Sequence, residues 1–223
     1  MWDFECKGAE RGIHGVGCRQ RQKSIRDRIN IGGEGQTYVG SLGVLLAAAI
    51  FAQYLPSLLV IILCIFCSAL FGAAWAIIPG YLQAKRGSHI VITTIMFNFL
   101  ASSLMVWLLS GMLMEKGQQS PQSNLLPENI RLPKVQNAFE VLGINISSSP
   151  MNLSFIVALI ALLLFWILIW KTRLGYEIRA VGKNQDAANY AGINVSRVII
   201  ITMTISGAFA GLLAVNEVMG VQN

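Results

Sequence analysis

Charge is scarce in this sequence: only 13% of its 223 residues are Asp, Glu, Lys or Arg, about half the share of an ordinary soluble domain. With 54% of the residues hydrophobic, there is too little polar side chain to cover a conventional solvated surface. Histidine is scarce too. The two present, His14 and His89, fall in no H-E-x-x-H or comparable ligand spacing, so no metal site is expected. No Gly-x-Ser-x-Gly elbow and no Walker loop ending in Gly-Lys-Ser/Thr occurs, which removes the usual serine nucleophile and the usual phosphate cradle. The chain therefore reads as a non-enzyme with no catalytic residue and no cofactor, and any ATP that drives it must be bound elsewhere. The formal net charge of +6 could point to nucleic acid. However, the basic residues lie between apolar runs and have no interleaved aromatics on which bases would stack, so nucleic acid is not expected as a partner.

What is abundant is apolar sequence in runs of near-spanning length, and about 20 such residues in a helix cross the hydrocarbon core of a bilayer. Such runs occupy Tyr38 to Leu55, Ser57 to Gly80, Ile90 to Gly111, Asn152 to Trp170 and Val198 to Met219. The expected fold is all-α, a polytopic transmembrane helix bundle in contact with membrane lipid. Positive charge collects on the cytoplasmic side of short loops. By that rule the turn with Lys85, Arg86 and His89 lies inside, as does loop 171–197 with Lys171, Arg173, Arg179, Lys183 and Arg197. Loop 112–151 balances Lys116, Arg131 and Lys134 against Glu115, Glu128 and Glu140 and is expected outside. Residues 1–29 are basic, lack an apolar signal core and show no helical period, and are expected to be disordered or foreign to the membrane domain at 30–223.

Within the runs, Ser68, Gly72 and Ala76 recur at four-residue steps, and Ser206, Ala210 and Ala214 do so beside Gly207 and Gly211. Small residues at that spacing let helix backbones approach in lipid. Cys64 and Cys67 have a C-x-x-C spacing but no βαβ context or solvent access, so they are expected to pack rather than to undergo redox chemistry.

Polar groups at membrane depth must pair, face a cavity or lie outside the hydrocarbon. "NIGGEGQTYVG" sets Asn30, Glu34 and Gln36 among glycines directly before an apolar run. Broken glycine-rich backbone at that depth is tolerated where it lines a cavity, which makes the stretch a candidate substrate path; a plain loop with a capping Glu is the alternative. Asn98, flanked by Thr93, Thr94, Ser102 and Ser103, joins the candidates, with a helix–helix hydrogen bond as its alternative role. Neither repeated intramembrane carboxylates nor an inverted repeat is present to favour a self-sufficient secondary transporter.

The stretch "RAVGKNQDAANYAGINVS", Arg179 to Ser196, is polar, small and patterned like a short helix between spanning runs. It is suited to docking a partner: Ala187, Ala188 and Ala191 permit close approach, while Glu177, Arg179, Lys183 and Asp186 offer charge.

Together "INIGGEGQ", "GAAWAIIPGYLQAKRG", "VITTIMFNFLA", "LPENIRLP" and the sequence from "LGYEIRAVGKNQDAANYAGINVS" into the last apolar run resemble the permease subunit of bacterial ABC importers for nucleosides. That group lies within the branched-chain amino acid and monosaccharide permeases. The resemblance runs from Ile29 to Val221 and is most specific from Gly175 to Val195. It implies a multi-pass permease of the bacterial inner membrane that works with an ATP-binding subunit, a second permease subunit and a substrate-binding lipoprotein or periplasmic protein. The family's cytoplasmic coupling helix would fall on about Arg179 to Ala191, so Glu177, Arg179, Gly182, Asn184, Ala187, Ala188 and Ala191 are the expected coupling residues. A monosaccharide permease, or a truncated fragment without transport, is the alternative. The chain departs from the pattern in three places. A basic stretch stands where a leading helix runs into the Asn-Ile-Gly segment, the sequence stops at "AVNEVMGVQN" where such permeases continue, and Gly33 replaces a branched aliphatic residue. An incomplete permease is thus expected, and the resemblance sets Asn30 to Gln36 deeper in the membrane than the charge pattern does.

Overall fold

The computed structural model describes residues 30–111 and 154–221; the basic segment 1–29 and loop 112–151 lie outside them. The described residues form seven α-helices and no strand: α1 Gly33–Phe51, α2 Ser57–Arg86, α3 Ile90–Gly111, α4 Ser154–Lys171, α5 Arg173–Lys183, α6 Gln185–Tyr190 and α7 Val195–Asn216, the last running into a π turn at Glu217–Val221. Four of these helical stretches, α2, α3, α4 and Val195–Gly220, are long and apolar enough to cross a membrane. The first expected span is placed differently. α1 begins at Gly33, takes the polar Glu34, Gln36 and Thr37 into its first turns, and is the most buried helix, with ten buried residues.

α1, α2 and α7 pack into one tight unit around their small residues. A Cβ on Gly72 of α2 would stand 2.5 Å from the Gly207 carbonyl oxygen and 2.9 Å from Gly211 Cα, and one on Gly40 of α1 would stand 3.0 Å from Gly211 Cα. Those separations admit only hydrogen. The expected Ser68–Gly72–Ala76 strip therefore meets α7 along Gly207 and Gly211 rather than along Ser206 and Ala210. Apolar burial drives association only weakly in lipid, so close dispersion contacts and interhelical hydrogen bonds must do it. The Ser68 hydroxyl donates to the Gly211 carbonyl, and Thr37 donates to Gly33 at 2.8 Å and to Ala210 at 3.0 Å. Below this seam Val44, Ala47, Val60, Cys64, Val215 and Met219 close an apolar core. Cys64 is buried in it, and neither Cys64 nor Cys67 forms a disulfide.

α2 continues six residues past its expected end. Pro79 removes one helical hydrogen bond, yet Pro79 and Gly80 are both buried, and Gly80 packs so closely on Met203 of α7 that a Cβ would lie 2.9 Å from that residue's Cβ. Packing on α7 carries the helix through the Pro-Gly pair to Gly87, whose φ of +63° ends it in the left-handed conformation. α4 is the opposite case. It has no buried residue and touches α7 through the Phe165–Phe209 edge contact and the Ser154–Asn216 hydrogen bond of 2.7 Å.

Candidate functional site

The amide-bearing residues converge on the first turn of α1. Asn30 makes an Asx turn by accepting the Gly32 N–H at 2.9 Å, and its Nδ2 donates to Gln36 Oε1 at 3.3 Å and to Ser206 Oγ at 2.9 Å. Gln36 is 1% exposed. Asn98 approaches from α3, where its Oδ1 accepts the Gly35 N–H at 3.0 Å and its Nδ2 donates to the Ile31 carbonyl at 2.9 Å. The N-terminal N–H groups of a helix lack intrahelical partners, and Asn98 serves one of them from another helix. Glycine is required here: a Cβ on Gly35 would stand 3.0 Å from Asn98 Cα, and one on Gly32 would stand 3.3 Å from Thr94 Cβ.

Asn30, Gln36 and Asn98 are thus brought together, but Glu34 is not. It points outward on the exposed side of α1, with the Tyr38 hydroxyl donating to its carboxylate at 3.4 Å. Its place in the first turn suits the positive end of the helix dipole. The glycine stretch is also less broken than expected, because Gly33 to Gln36 are helical and only Asn30 to Gly32 precede the helix.

Ser206, read from sequence only as a packing residue, is the group that links this cluster to open space. It borders a cavity of about 560 Å³ between α4 and α7, together with Thr202, Phe165, Leu168, Ile178 and Phe209. Thr202 spends its proton on the Val198 carbonyl at 2.7 Å, whereas Ser206 accepts from Asn30 and keeps a hydroxyl proton to donate. The run of hydroxyls at Thr202, Thr204 and Ser206 was the sequence signal for it.

The second candidate surface is the loop between α4 and α7. It forms two helices rather than the single one expected from Arg179 to Ala191. Asn184 separates them with extended backbone (φ −158°, ψ 118°); its N–H closes α5 on Ala180, and its side chain caps α6 by accepting from Asp186 and Ala187 N–H. α6 ends in a Schellman motif: Gly192 has φ +80°, the Gly192 N–H donates to Asn189 and the Ile193 N–H donates to Ala188, each at 3.0 Å. The expected coupling residues then divide. Ala188 is buried against Val181 and Val198, backed by Ile178, Ile193 and Val195. Ala187, Ala191, Gly182 and Asn184 are exposed, and Tyr190, absent from the expected set, is 94% exposed. Glu177 is half-buried. Arg179 leans back toward α4, its guanidinium 4.7 Å from the centre of the Trp170 ring. Among the described residues no cluster of His, Cys, Asp and Glu could hold a metal ion.

Several characterised permeases are similar to this chain. A nucleoside ABC transporter permease protein, NupB of Lactococcus lactis subsp. cremoris (strain MG1363), is 36% identical over 189 residues, covering 82% of this chain and 50% of the relative. The guanosine ABC transporter permease protein NupP of Bacillus subtilis (strain 168) is 35% identical over 191 residues, covering 86% and 52%. The glucose ABC transporter permease protein TsgB13 of Haloferax volcanii is 32% identical over 195 residues, covering 86% and 50%. The chain spans about half the length of these relatives, and no solved structure matches it. Residues 25–223 match the model of the branched-chain amino acid transport system / permease component family, and the chain, a multi-pass membrane protein, belongs to that family.

Proposed function

We propose that this protein is the permease subunit of an ATP-driven importer that moves nucleosides across the cell membrane, with hydrolysis on a separate ATP-binding subunit. The observation that carries the reading is the amide–hydroxyl cluster of Asn30, Gln36 and Ser206, which reaches the cavity between α4 and α7 through Ser206. A hydroxyl beside an apolar wall, backed by one buried and one half-buried amide, suits a solute that has hydrogen-bonding edges and flat apolar faces. The names of the nucleoside and guanosine relatives support that solute class. The glucose permease relative favours a second reading, a monosaccharide as cargo. A second permease subunit and a substrate-binding lipoprotein or periplasmic protein complete the proposed assembly, with Asn98 on the same path as the cluster and Glu34, turned outward, off it.

Uptake of labelled guanosine by cells that express the protein with its ATP-binding subunit tests the proposal. Uptake competed by unlabelled nucleosides and not by glucose is expected, and it should fall in the Ser206→Ala and Gln36→Ala variants at unchanged membrane abundance. Competition by glucose alone would move the assignment to sugars, and abundance falling in step with uptake would make the cluster structural.

A further inference from the structure

One face of α4 runs from apolar to basic and stays largely exposed among the described residues. Phe155, Leu159, Leu163, Trp166 and Trp170 follow one another at steps of three or four residues, so they form one stripe along the helix, and each is at least half exposed. At the end of the stripe both tryptophans carry a cation: the Lys171 ammonium lies 5.7 Å from the Trp166 ring centre, and the Arg179 guanidinium lies 4.7 Å from that of Trp170. Tryptophan concentrates where hydrocarbon meets headgroups. Arg179 Nε is buried without a hydrogen-bond partner, so any headgroup contact falls to the terminal guanidinium nitrogens.

We propose that Lys171 and Arg179, held on Trp166 and Trp170, bind the phosphate headgroup of one anionic glycerophospholipid, whose acyl chain lies along the exposed stripe of α4. Three features on this face select that occupant. The cations stand at the end of a continuous apolar stripe rather than on an all-polar surface. The stacking holds Arg179 against α4. And a basic pair beside a spanning helix is complementary to acidic headgroups in the same leaflet. A free anion would have no use for the stripe. An acidic patch on another subunit would meet Arg179 with its guanidinium already committed to a membrane-border tryptophan.

The purified protein in detergent, titrated with phosphatidylglycerol or phosphatidylcholine and read by native mass spectrometry, tests this. Phosphatidylglycerol should stay bound at activation energies that strip phosphatidylcholine. Each basic residue removed should weaken binding about fivefold, so Lys171→Gln and Arg179→Gln each lower the bound fraction and the double variant lowers it further. Arg179→Lys should largely restore it, and Lys85→Gln with Arg86→Gln, a basic pair exposed at the end of α2, should leave it unchanged. If Arg179→Gln does not fold, Lys171→Gln alone carries the reading. Equal retention of the two lipids, an equal loss in the α2 control, or displacement by inorganic phosphate would overturn the proposal. So would loss of an ATP-binding subunit, without loss of lipid, in the double variant.

Discussion

Asn98 holds Gly35: from α3 its side-chain oxygen accepts the Gly35 N–H at 3.0 Å while its nitrogen donates to the Ile31 carbonyl at 2.9 Å. The mid-span amide thereby replaces the preceding turn that α1 lacks and fixes how the polar cluster enters the bundle. Asn98→Leu removes both bonds and leaves the Gly35 N–H unpaired. Interhelical hydrogen bonds in membrane proteins contribute about 0.6 kcal/mol on average and about 1.7 kcal/mol at most. Thermal unfolding in detergent should therefore show a loss of about 1–3 kcal/mol once the unpaired buried donor is included. Asn98→Asp, which keeps the acceptor, should fall between. A Leu variant as stable as the parent would remove Asn98 from the packing of α1.

The seam between α2 and α7 gives a sharper test. A Cβ at Gly72 would meet the Gly207 oxygen at 2.5 Å, whereas at Gly33 nothing lies within 4 Å. Overpacking of a close-packed site typically costs about 1–3 kcal/mol and more when backbone stands in the way. Gly72→Leu should abolish the monodisperse peak in size-exclusion chromatography, and Gly33→Ala should leave it intact.

Much of this was legible in the sequence, for reasons that differ by element. The apolar runs mark α2, α3, α4 and α7 because length and hydropathy suffice in lipid, and the small-residue steps mark the seam. The face of α7 that enters the seam was not legible, since Ser206–Ala210 and Gly207–Gly211 share one spacing and only the α2 partner distinguishes them. The Pro79-Gly80 pair reads locally as a stop, and contact with Met203 overrides it. Asn30, Gln36 and Asn98 declare themselves as polar residues near or within apolar runs. That Glu34 turns away from them follows from helical phase, which the start of α1 at Gly33 fixes and the sequence alone does not.

Gly192 supports a prediction about the loop. Its φ of +80° ends α6, and an L-residue there costs about 1–2 kcal/mol. Gly192→Ala should loosen the bonds from Gly192 to Asn189 and from Ile193 to Ala188. Hydrogen exchange should then speed up at those two amides by roughly 5- to 30-fold, with α2 and α7 unaffected.

α6 presents two alanines with opposite duties, and they separate the partner reading from a merely structural one. Ala188 is 4% exposed and packs on Val181 and Val198, so Ala188→Trp should disrupt α5 and α6 themselves, lowering stability by about 1–3 kcal/mol. Ala187 is exposed beside the cap at Asn184, and Tyr190, 94% exposed, projects from the same short helix. Ala187→Trp should therefore leave the isolated protein folded and inserted. If α6 is where an ATP-binding subunit grips the permease, the added bulk should block close approach, and Tyr190→Ala should remove a side chain of the type that anchors interfaces. Coupling requires that two states of the partner favour two arrangements of the loop, so co-purification and substrate-stimulated ATPase are both read. Loss of either in Ala187→Trp at unchanged thermal stability supports the docking role. If both survive Ala187→Trp and Tyr190→Ala unchanged, α6 is only a connector, held in place by Ala188, and the grip must lie elsewhere.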